Sequence, residues 1–174
     1  MRWKRRFEGL DILVAERGSS LLATAVLLTG SRAGGEDLVQ GALERLMRHW
    51  HRVHGDKEGY LRRTLYNLAV DQWRSRRRRP EVLTAVEPPG QPDGTDALHL
   101  RQALVQALAT LPPRQRAVLV LRYWEQCTEA EAAEILGCSI GTVKSTASRG
   151  LTRLREVTAA WTVDNVPASN GVKR

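Results

Sequence analysis

Near the C-terminal end of the chain, small polar and basic side chains recur along one side of a predicted helix. They are Thr142, Lys144, Ser145, Ser148, Arg149 and Arg153. Small residues at the start of a helix let it enter the major groove of DNA, where lysine and arginine reach bases or phosphates. No acidic residue lies between Ser139 and Glu156. This pattern favours a DNA-binding surface over an ordinary three-helix bundle, whose exposed faces normally mix both signs of charge.

The residues before this helix predict how it is positioned. Thr128 followed by Glu131 has the spacing of a capping box, which marks the start of a helix. Gly137 suits the left-handed position that ends a helix, and Ser139 can cap the next one. Residues 111–157 therefore predict three helices, of which the last two form a helix-turn-helix.

A long helix predicted over residues 58–78 carries a second candidate surface. One side holds Arg63, Asn67, Asp71 and Arg74, and another holds Tyr66, Trp73 and Arg77. Arginine binds phosphate, asparagine pairs with a base edge, and aromatic rings stack on unpaired bases. The alternative is that Tyr66 and Trp73 belong to the core and that the arginines are simply solvated. The sequence alone leaves both interpretations open.

Two further groups of polar residues have simpler interpretations. Glu36 and Asp37 lie near the start of a helix predicted over residues 34–49, where carboxylates favour the helix dipole, so helix capping explains them. His49, His51 and His54 match no common metal-ligand spacing, and residues 51–57 predict a loop. We expect no metal and no cofactor.

Composition and charge divide the chain. Residues 1–82 carry a net charge of +7, residues 83–98 carry −3 with three prolines and two glycines, and residues 99–160 carry +3. This predicts two small helical domains, a flexible linker over residues 83–98 and a flexible tail over residues 161–174. The overall charge of +8 suggests a polyanionic partner.

The N-terminal residues complete an all-α prediction. Residues 7–29 suggest two short helices, the second almost wholly apolar, and strand signals are nearly absent throughout. We expect no stretch long enough for a membrane span and no signal peptide, and therefore no membrane partner and a cytoplasmic location. Cys127 and Cys138 are expected to be free thiols in a reducing compartment.

Several short motifs occur in a fixed order along both halves of the chain. They are Leu27–Gly30, Glu36–Gln40, Tyr60–Arg63, Asn67, Asp71, Trp73–Arg74, Leu111–Arg116, Gly141–Ser145, Ser148–Leu151 and Leu154–Arg155. Together they resemble the bacterial sigma-70 factors of the extracytoplasmic-function group, and most closely the sigma-E-like subfamily of actinobacteria. The resemblance implies an all-α chain in which residues 1–82 are sigma domain 2 and residues 99–160 are sigma domain 4.

The resemblance also implies roles for particular residues. Core RNA polymerase would be contacted through its β′ clamp helices and its β flap, with the clamp contact assigned to Glu36, Asp37, Leu38 and Gln40. The −10 element would be opened and bound by His54, Arg63, Asn67, Asp71, Trp73, Arg74 and Arg77. The −35 element would be read by Ser139, Thr142, Lys144, Ser145, Ser148 and Arg149. Promoter DNA is thus an expected partner, and an anti-sigma factor is a further one.

The sequence departs from the family pattern at one position, and two other functions compete with that of a sigma factor. Many relatives carry arginine where this chain has Thr146, so contacts of that arginine cannot be transferred. A free-standing helix-turn-helix regulator with an N-terminal dimerisation or sensing domain is the main alternative. An enzyme is disfavoured, because no nucleophile–base pair, metal cluster or phosphate loop is found.

Overall fold

The computed structural model of the protein describes residues 7–78 and 96–164, with side chains described for residues 7–73 and 100–159. Within these ranges the chain forms helices and no strand, as predicted. The helices are α1 (Leu10–Thr29), α2 (Arg32–His49), α3 (Lys57–Arg78), α4 (Asp96–Ala109), α5 (Pro113–Leu119), α6 (Glu129–Leu136) and α7 (Ile140–Asp164). A π-helical turn, Val120–Trp124, continues α5.

The expectation of two short helices over residues 7–29 is wrong, because α1 is a single helix of 20 residues. A glycine inside a helix costs only about 1 kcal/mol, which tertiary packing outweighs, so Gly18 does not break it. The helix ends at Gly30, whose φ of 85° is left-handed and whose N–H donates to the Val26 carbonyl at 2.8 Å.

The first and second halves of α1 differ in their surroundings. The first half is largely exposed, whereas Leu21, Ala25, Leu27 and Leu28 in the second half are buried. By length and composition α1 could cross a membrane, so the expectation that no stretch is long enough is wrong on that criterion. The buried second half of α1 belongs to the core, and a core helix can meet the same criterion of length and composition.

The start of α2 corrects the interpretation of Glu36 and Asp37. Ser31 is the N-cap, and its hydroxyl accepts a hydrogen bond from the Gly34 N–H at 3.1 Å. Because the helix begins at Arg32, both carboxylates lie beyond its first turn and do not cap it. The predicted apolar repeat is confirmed, since Leu38, Ala42, Leu46 and Trp50 are all buried.

The second half of the chain forms the predicted helix-turn-helix from α6 and α7. Helix α4 begins at Asp96, inside the predicted linker 83–98, and α7 continues past the predicted boundary at residue 160 to Asp164. Residues 83–95 of the linker and 165–174 of the tail lie outside the described residues.

The two halves pack against one another. The second half of α1 contacts α2 and α3 on one side and α4 and α5 on the other, and α3 contacts α5 and α6. Buried apolar side chains from both halves form one continuous cluster. The exposed helix faces that could bind a partner therefore belong to one body.

Candidate nucleic-acid interface

The capping box that starts α6 is present as predicted. The Thr128 hydroxyl accepts from the Glu131 N–H at 3.2 Å, and the Glu131 carboxylate accepts from the Thr128 N–H at 2.6 Å. These hydrogen bonds stabilise the carboxylate and lower the pKa of Glu131 below 4.5. Gly137, with a φ of 59°, ends the helix and turns the chain toward α7.

The start of α7 is fixed by hydroxyl groups. The Ser139 hydroxyl accepts from the Thr142 N–H at 3.2 Å and lies 2.9 Å from the Thr142 hydroxyl, and the Ser145 hydroxyl donates to the Thr142 carbonyl. Val143 and Thr146 are buried beneath them. The predicted cap at Ser139 is confirmed, and its hydroxyl and that of Thr142 form a small polar end to the helix.

The side of α7 singled out from the sequence faces outward. Five of the six residues assigned to the −35 element are exposed and Thr142 is half-buried; the exposed ones are Ser139, Lys144, Ser145, Ser148 and Arg149. The Lys144 ammonium lies 3.4 Å from the Glu129 carboxylate on α6. Arg149 makes no ion pair among the side chains described. These residues share one accessible surface, called the α7 face below.

The residues assigned to the −10 element differ in how exposed they are. Arg63, Asn67 and Asp71 are exposed on α3, and His54 is exposed in the loop before it. Tyr66 is fully buried, so its interpretation as an exposed stacking residue is wrong. Trp73 is half-buried, with the Arg116 guanidinium 6.0 Å from its ring centre. The side chains of Arg74 and Arg77 lie outside those described.

The loop before α3 is held by contacts around Trp50. Phe7 packs edge-on against the Trp50 ring at 6.2 Å, and the Lys57 ammonium lies 4.9 Å from the centre of the same ring. Asp56 caps α3 by accepting from the Gly59 N–H at 2.7 Å. His54, in the loop between Trp50 and Asp56, is exposed.

The residues assigned to polymerase docking lie along α2. Glu36, Asp37 and Gln40 are exposed, but Leu38 is fully buried. Leu38 therefore cannot contact a partner, and its assignment is corrected to a core residue that orients the others. Glu36 and Gln40 line one side of an apolar groove between α1 and α2, whose floor is formed by Leu22, Val39, Leu43 and Met47.

A second apolar groove lies between the helices of the other half. The exposed rings of Tyr123 and Trp124 flank it. Leu27 of α1 lines it together with Leu104, Leu108, Leu119, Leu151 and Leu154. The groove therefore combines residues from both halves of the chain.

Polar contacts between the two halves were not found by sequence reasoning. The buried Arg116 guanidinium on α5 donates to the carbonyl oxygens of Leu28, Ala109 and Leu111 at 2.9, 2.7 and 3.3 Å, and burial lowers its pKa to about 10. Glu125 accepts from the Thr24 hydroxyl and lies 3.8 Å from Arg62. Arg63 pairs with Glu134. Such contacts join distant positions, so no local spacing signals them.

Burial also shifts the pKa values of two side chains near these contacts, Tyr66 and Cys127. Among the described residues the Tyr66 hydroxyl has no hydrogen-bond partner, and its pKa is raised first by burial and then by the nearby Glu125 carboxylate. Burial likewise raises the pKa of the Cys127 thiol, and both cysteines are free. In the described part of the chain, no group of three metal-ligating side chains occurs.

Comparison with protein families gives two matches. The family described as Sigma-70 region 2 matches residues 13–79, and the family described as Sigma-70, region 4 matches residues 101–154. The first match contains α2 and α3, and the second contains the helix-turn-helix.

Individual proteins are similar over most of the chain. The RNA polymerase sigma-E factor of Streptomyces coelicolor is 39% identical over 154 residues, which cover 87% of this chain and 86% of that protein. The ECF RNA polymerase sigma factor SigE of Mycolicibacterium smegmatis is 34% identical over 158 residues, covering 86% of this chain and 61% of that protein.

Two solved structures are similar in fold. The sigma factor RpoE of Bartonella quintana, solved with the anti-sigma factor NepR, has a TM-score of 0.65 and 27% identity, covering 84% of this chain and 94% of that one. CnrH, solved with the cytosolic domain of CnrY, has a TM-score of 0.62 and 20% identity, covering 86% of this chain and 87% of that one.

Proposed function

The chain belongs to the sigma-70 family, in its extracytoplasmic-function group, and from this premise we propose how its surfaces divide the work of transcription initiation. As a sigma factor the protein directs core RNA polymerase to promoters. The observation that carries the proposal is that the carboxylates of α2, the polar side of α3 and the α7 face are exposed on three different helices.

The first surface docks on the β′ clamp helices of the polymerase. Glu36 and Gln40 line the apolar groove between α1 and α2 with carboxylate and amide oxygens, and Asp37 is exposed on the same helix. Glu36 is held by Arg32 at 2.8 Å, and Gln40 donates to Glu44 at 3.0 Å. An apolar centre with a polar rim is the usual composition of a specific protein interface.

The second surface binds and opens the −10 element. Arg63 can bind a phosphate, Asn67 and Asp71 can hydrogen-bond to base edges, and His54 lies in the loop that would receive an unpaired base. Arg74 and Arg77 continue the same helix, and Trp73 is half-buried, which leaves part of its side chain accessible for stacking. Capturing unpaired bases lets binding energy open the duplex without ATP, since stacking on aromatic rings returns about 1–3 kcal/mol per base.

The third surface, the α7 face, reads the −35 element. Ser139, Thr142 and Ser145 are small and stand at the N-terminal end of the helix, where a helix in the major groove meets base edges. Lys144 and Arg149 reach bases or phosphates, and Ser148 lies between them on the same face. Phosphate contacts fix the position of the domain, while a few base contacts set its sequence preference.

Two further partners are proposed. The groove flanked by Tyr123 and Trp124 would dock on the β flap of the polymerase, because exposed aromatic rings around an apolar groove suit an apolar helix. An anti-sigma factor is the second partner, since related structures were solved with NepR and CnrY. We assign the protein no catalytic role and place its action in the cytoplasm, where polymerase and promoter meet.

Charge reversal tests the docking assignment. Glu36→Lys with Asp37→Lys should weaken co-purification with core polymerase, because lysines repel a partner that accepts carboxylates. Glu16→Lys with Glu156→Lys is the matched control, since both residues are exposed and lie outside the three surfaces. Equal binding by the two double variants would refute the assignment. A free-standing regulator would bind DNA fragments, and none of its variants would co-purify with the polymerase.

A further inference from the structure

We propose that Glu129 sets the sequence specificity of the −35 surface, by holding the Lys144 ammonium so that this side chain reads a base edge instead of binding a phosphate. The two residues are called the Glu129–Lys144 pair below. The inference deepens the proposed function, because it rests on the assignment of Lys144 to −35 DNA. It adds a residue of α6 to a surface otherwise built from α7 and its N-cap.

The Glu129–Lys144 pair joins the two helices of the helix-turn-helix. Glu129 Oε2 lies 3.4 Å from Lys144 Nζ, although Glu129 begins α6 and Lys144 stands in the second turn of α7. The capping box at Thr128 fixes the start of α6, and the Ser139 cap fixes the start of α7. The Lys144 side chain is 63% exposed, so the paired ammonium can still meet DNA.

The other cation assigned to the −35 element has different surroundings. Arg149 is exposed and makes no ion pair among the described side chains. No acidic residue of α7 precedes Glu156, so the carboxylate that faces Lys144 comes from α6. Arg149 therefore offers its whole charge to a phosphate, whereas the charge of Lys144 is partly offset before DNA arrives.

A paired ammonium distinguishes a phosphate from a base edge. A phosphate bound to Lys144 would bring a second anion close to the Glu129 carboxylate, and like charges at such distances repel. Guanine O6 and N7 carry no net charge and escape this repulsion. An ammonium has three N–H donors, so Lys144 can face the carboxylate and a guanine together. The pair thus weakens sequence-independent binding and keeps the base contact.

Neutral substitutions measure this effect on the free, full-length protein. Glu129→Gln should bind a fluorescent duplex of random sequence about threefold more tightly than wild type, the size expected for one exposed ion pair. The slope of the logarithm of the binding constant against the logarithm of the salt concentration should increase in magnitude by about 0.9, as for one added phosphate contact. Glu156→Gln is the matched control, since it makes the same charge change at an exposed position of α7. An equal gain in the control, or no gain in Glu129→Gln, would overturn the proposal.

A double-mutant cycle tests whether Glu129 acts through Lys144. In a Lys144→Gln background, Glu129→Gln should leave the affinity for the random duplex unchanged, because no ammonium remains to be released. A gain of the same size in both backgrounds would contradict the proposal, since it would show that Glu129 acts through general charge or through the stability of α6.

Holoenzyme measures the specificity itself. Wild type should initiate more often at a promoter than at the same promoter with a scrambled −35 element, and Glu129→Gln should lower this ratio about threefold. A ratio that Glu129→Gln leaves unchanged would refute the inference and leave the proposed function standing. A wild-type holoenzyme that initiates equally at both promoters would contradict the proposed function, whereas the cycle on the free protein does not depend on polymerase.

Discussion

Arg116 donates a hydrogen bond from its buried guanidinium to the carbonyl oxygen of Leu28, 88 positions earlier in the chain and 2.9 Å away. Leu28 lies in the last turn of α1, where carbonyl groups lack helical partners. The same guanidinium satisfies Ala109, the last residue of α4, and Leu111 just beyond it. One side chain thus joins two helix ends across the boundary between the halves.

Replacing this side chain should destabilise the free protein. Arg116→Met leaves three buried or part-buried carbonyl oxygens without their donor, and we expect a loss of about 2–4 kcal/mol in the free energy of unfolding. Urea denaturation measures it. Arg114→Met is the control, since Arg114 is exposed on the same helix and should change stability by less than about 0.5 kcal/mol. Equal effects of the two substitutions would show that the Arg116 contacts are unimportant.

The capping box of α6 makes a pH-dependent contribution to stability. Because the folded pKa of Glu131 is depressed, this contribution is present above its ordinary value of 4.5 and is lost as the pH falls through the folded pKa. Carbon-13 NMR titration should place the Glu131 midpoint below 4.5 in wild type. Thr128→Ala removes the hydroxyl but keeps the backbone N–H that lowers this pKa most, so the midpoint should rise only part of the way toward that value. Loss of the hydroxyl cap should cost about 1 kcal/mol. A midpoint unchanged by Thr128→Ala would contradict the assignment.

The approach of α1 to α2 requires glycine at position 35. A Cβ there would lie 2.9 Å from Val26 Cγ2 and 3.0 Å from the Val26 backbone nitrogen, so the helices would have to separate. Gly35→Ala should therefore lower stability by about 1–3 kcal/mol. Gly18→Ala provides the contrast, because its Cβ would meet Val14 at an ordinary 3.7 Å and helix propensity favours alanine by about 1 kcal/mol. In thermal unfolding, Gly35→Ala should lower the melting temperature and Gly18→Ala should raise it. A change in the same direction for both variants would refute this argument.

Arg149 should contribute to −35 binding through charge. Arg149→Ala should weaken holoenzyme binding to promoter duplex. If one phosphate contact is lost, the slope of the logarithm of the binding constant against the logarithm of the salt concentration should decrease in magnitude by about 0.9. Arg155→Ala is the control, an exposed arginine of α7 about 9 Å further from the groove-reading end. Equal slopes for both variants would show that the α7 face is misassigned.

Local chemistry explains what the sequence could predict. Thr128, Glu131, Gly137 and Ser139 act on atoms within a few residues of themselves, so their spacing alone identified the helix-turn-helix. The apolar repeat through Leu38 and Leu46 identified α2 for the same reason. The capping role expected for Glu36 and Asp37 was wrong because Ser31 starts the helix earlier.

Contacts between distant segments could not be predicted in this way. Periodicity placed Tyr66 on a helix face but could not say that it is buried, with Glu125 and Cys127 of the second half nearby. The Arg63–Glu134 and Thr24–Glu125 contacts join residues 71 and 101 positions apart. Their partners are set by how α1, α3 and α6 pack, which no single helix specifies.

Run-off transcription with core RNA polymerase on genomic fragments, with and without the protein, tests the central claim most directly. A sigma factor should produce new, defined start sites that depend on the protein, with shared −10 and −35 elements upstream. The Glu36→Lys with Asp37→Lys variant should lose these starts. Retardation of fragments by the protein alone, without any new start when polymerase is present, would contradict the account and indicate a free-standing regulator.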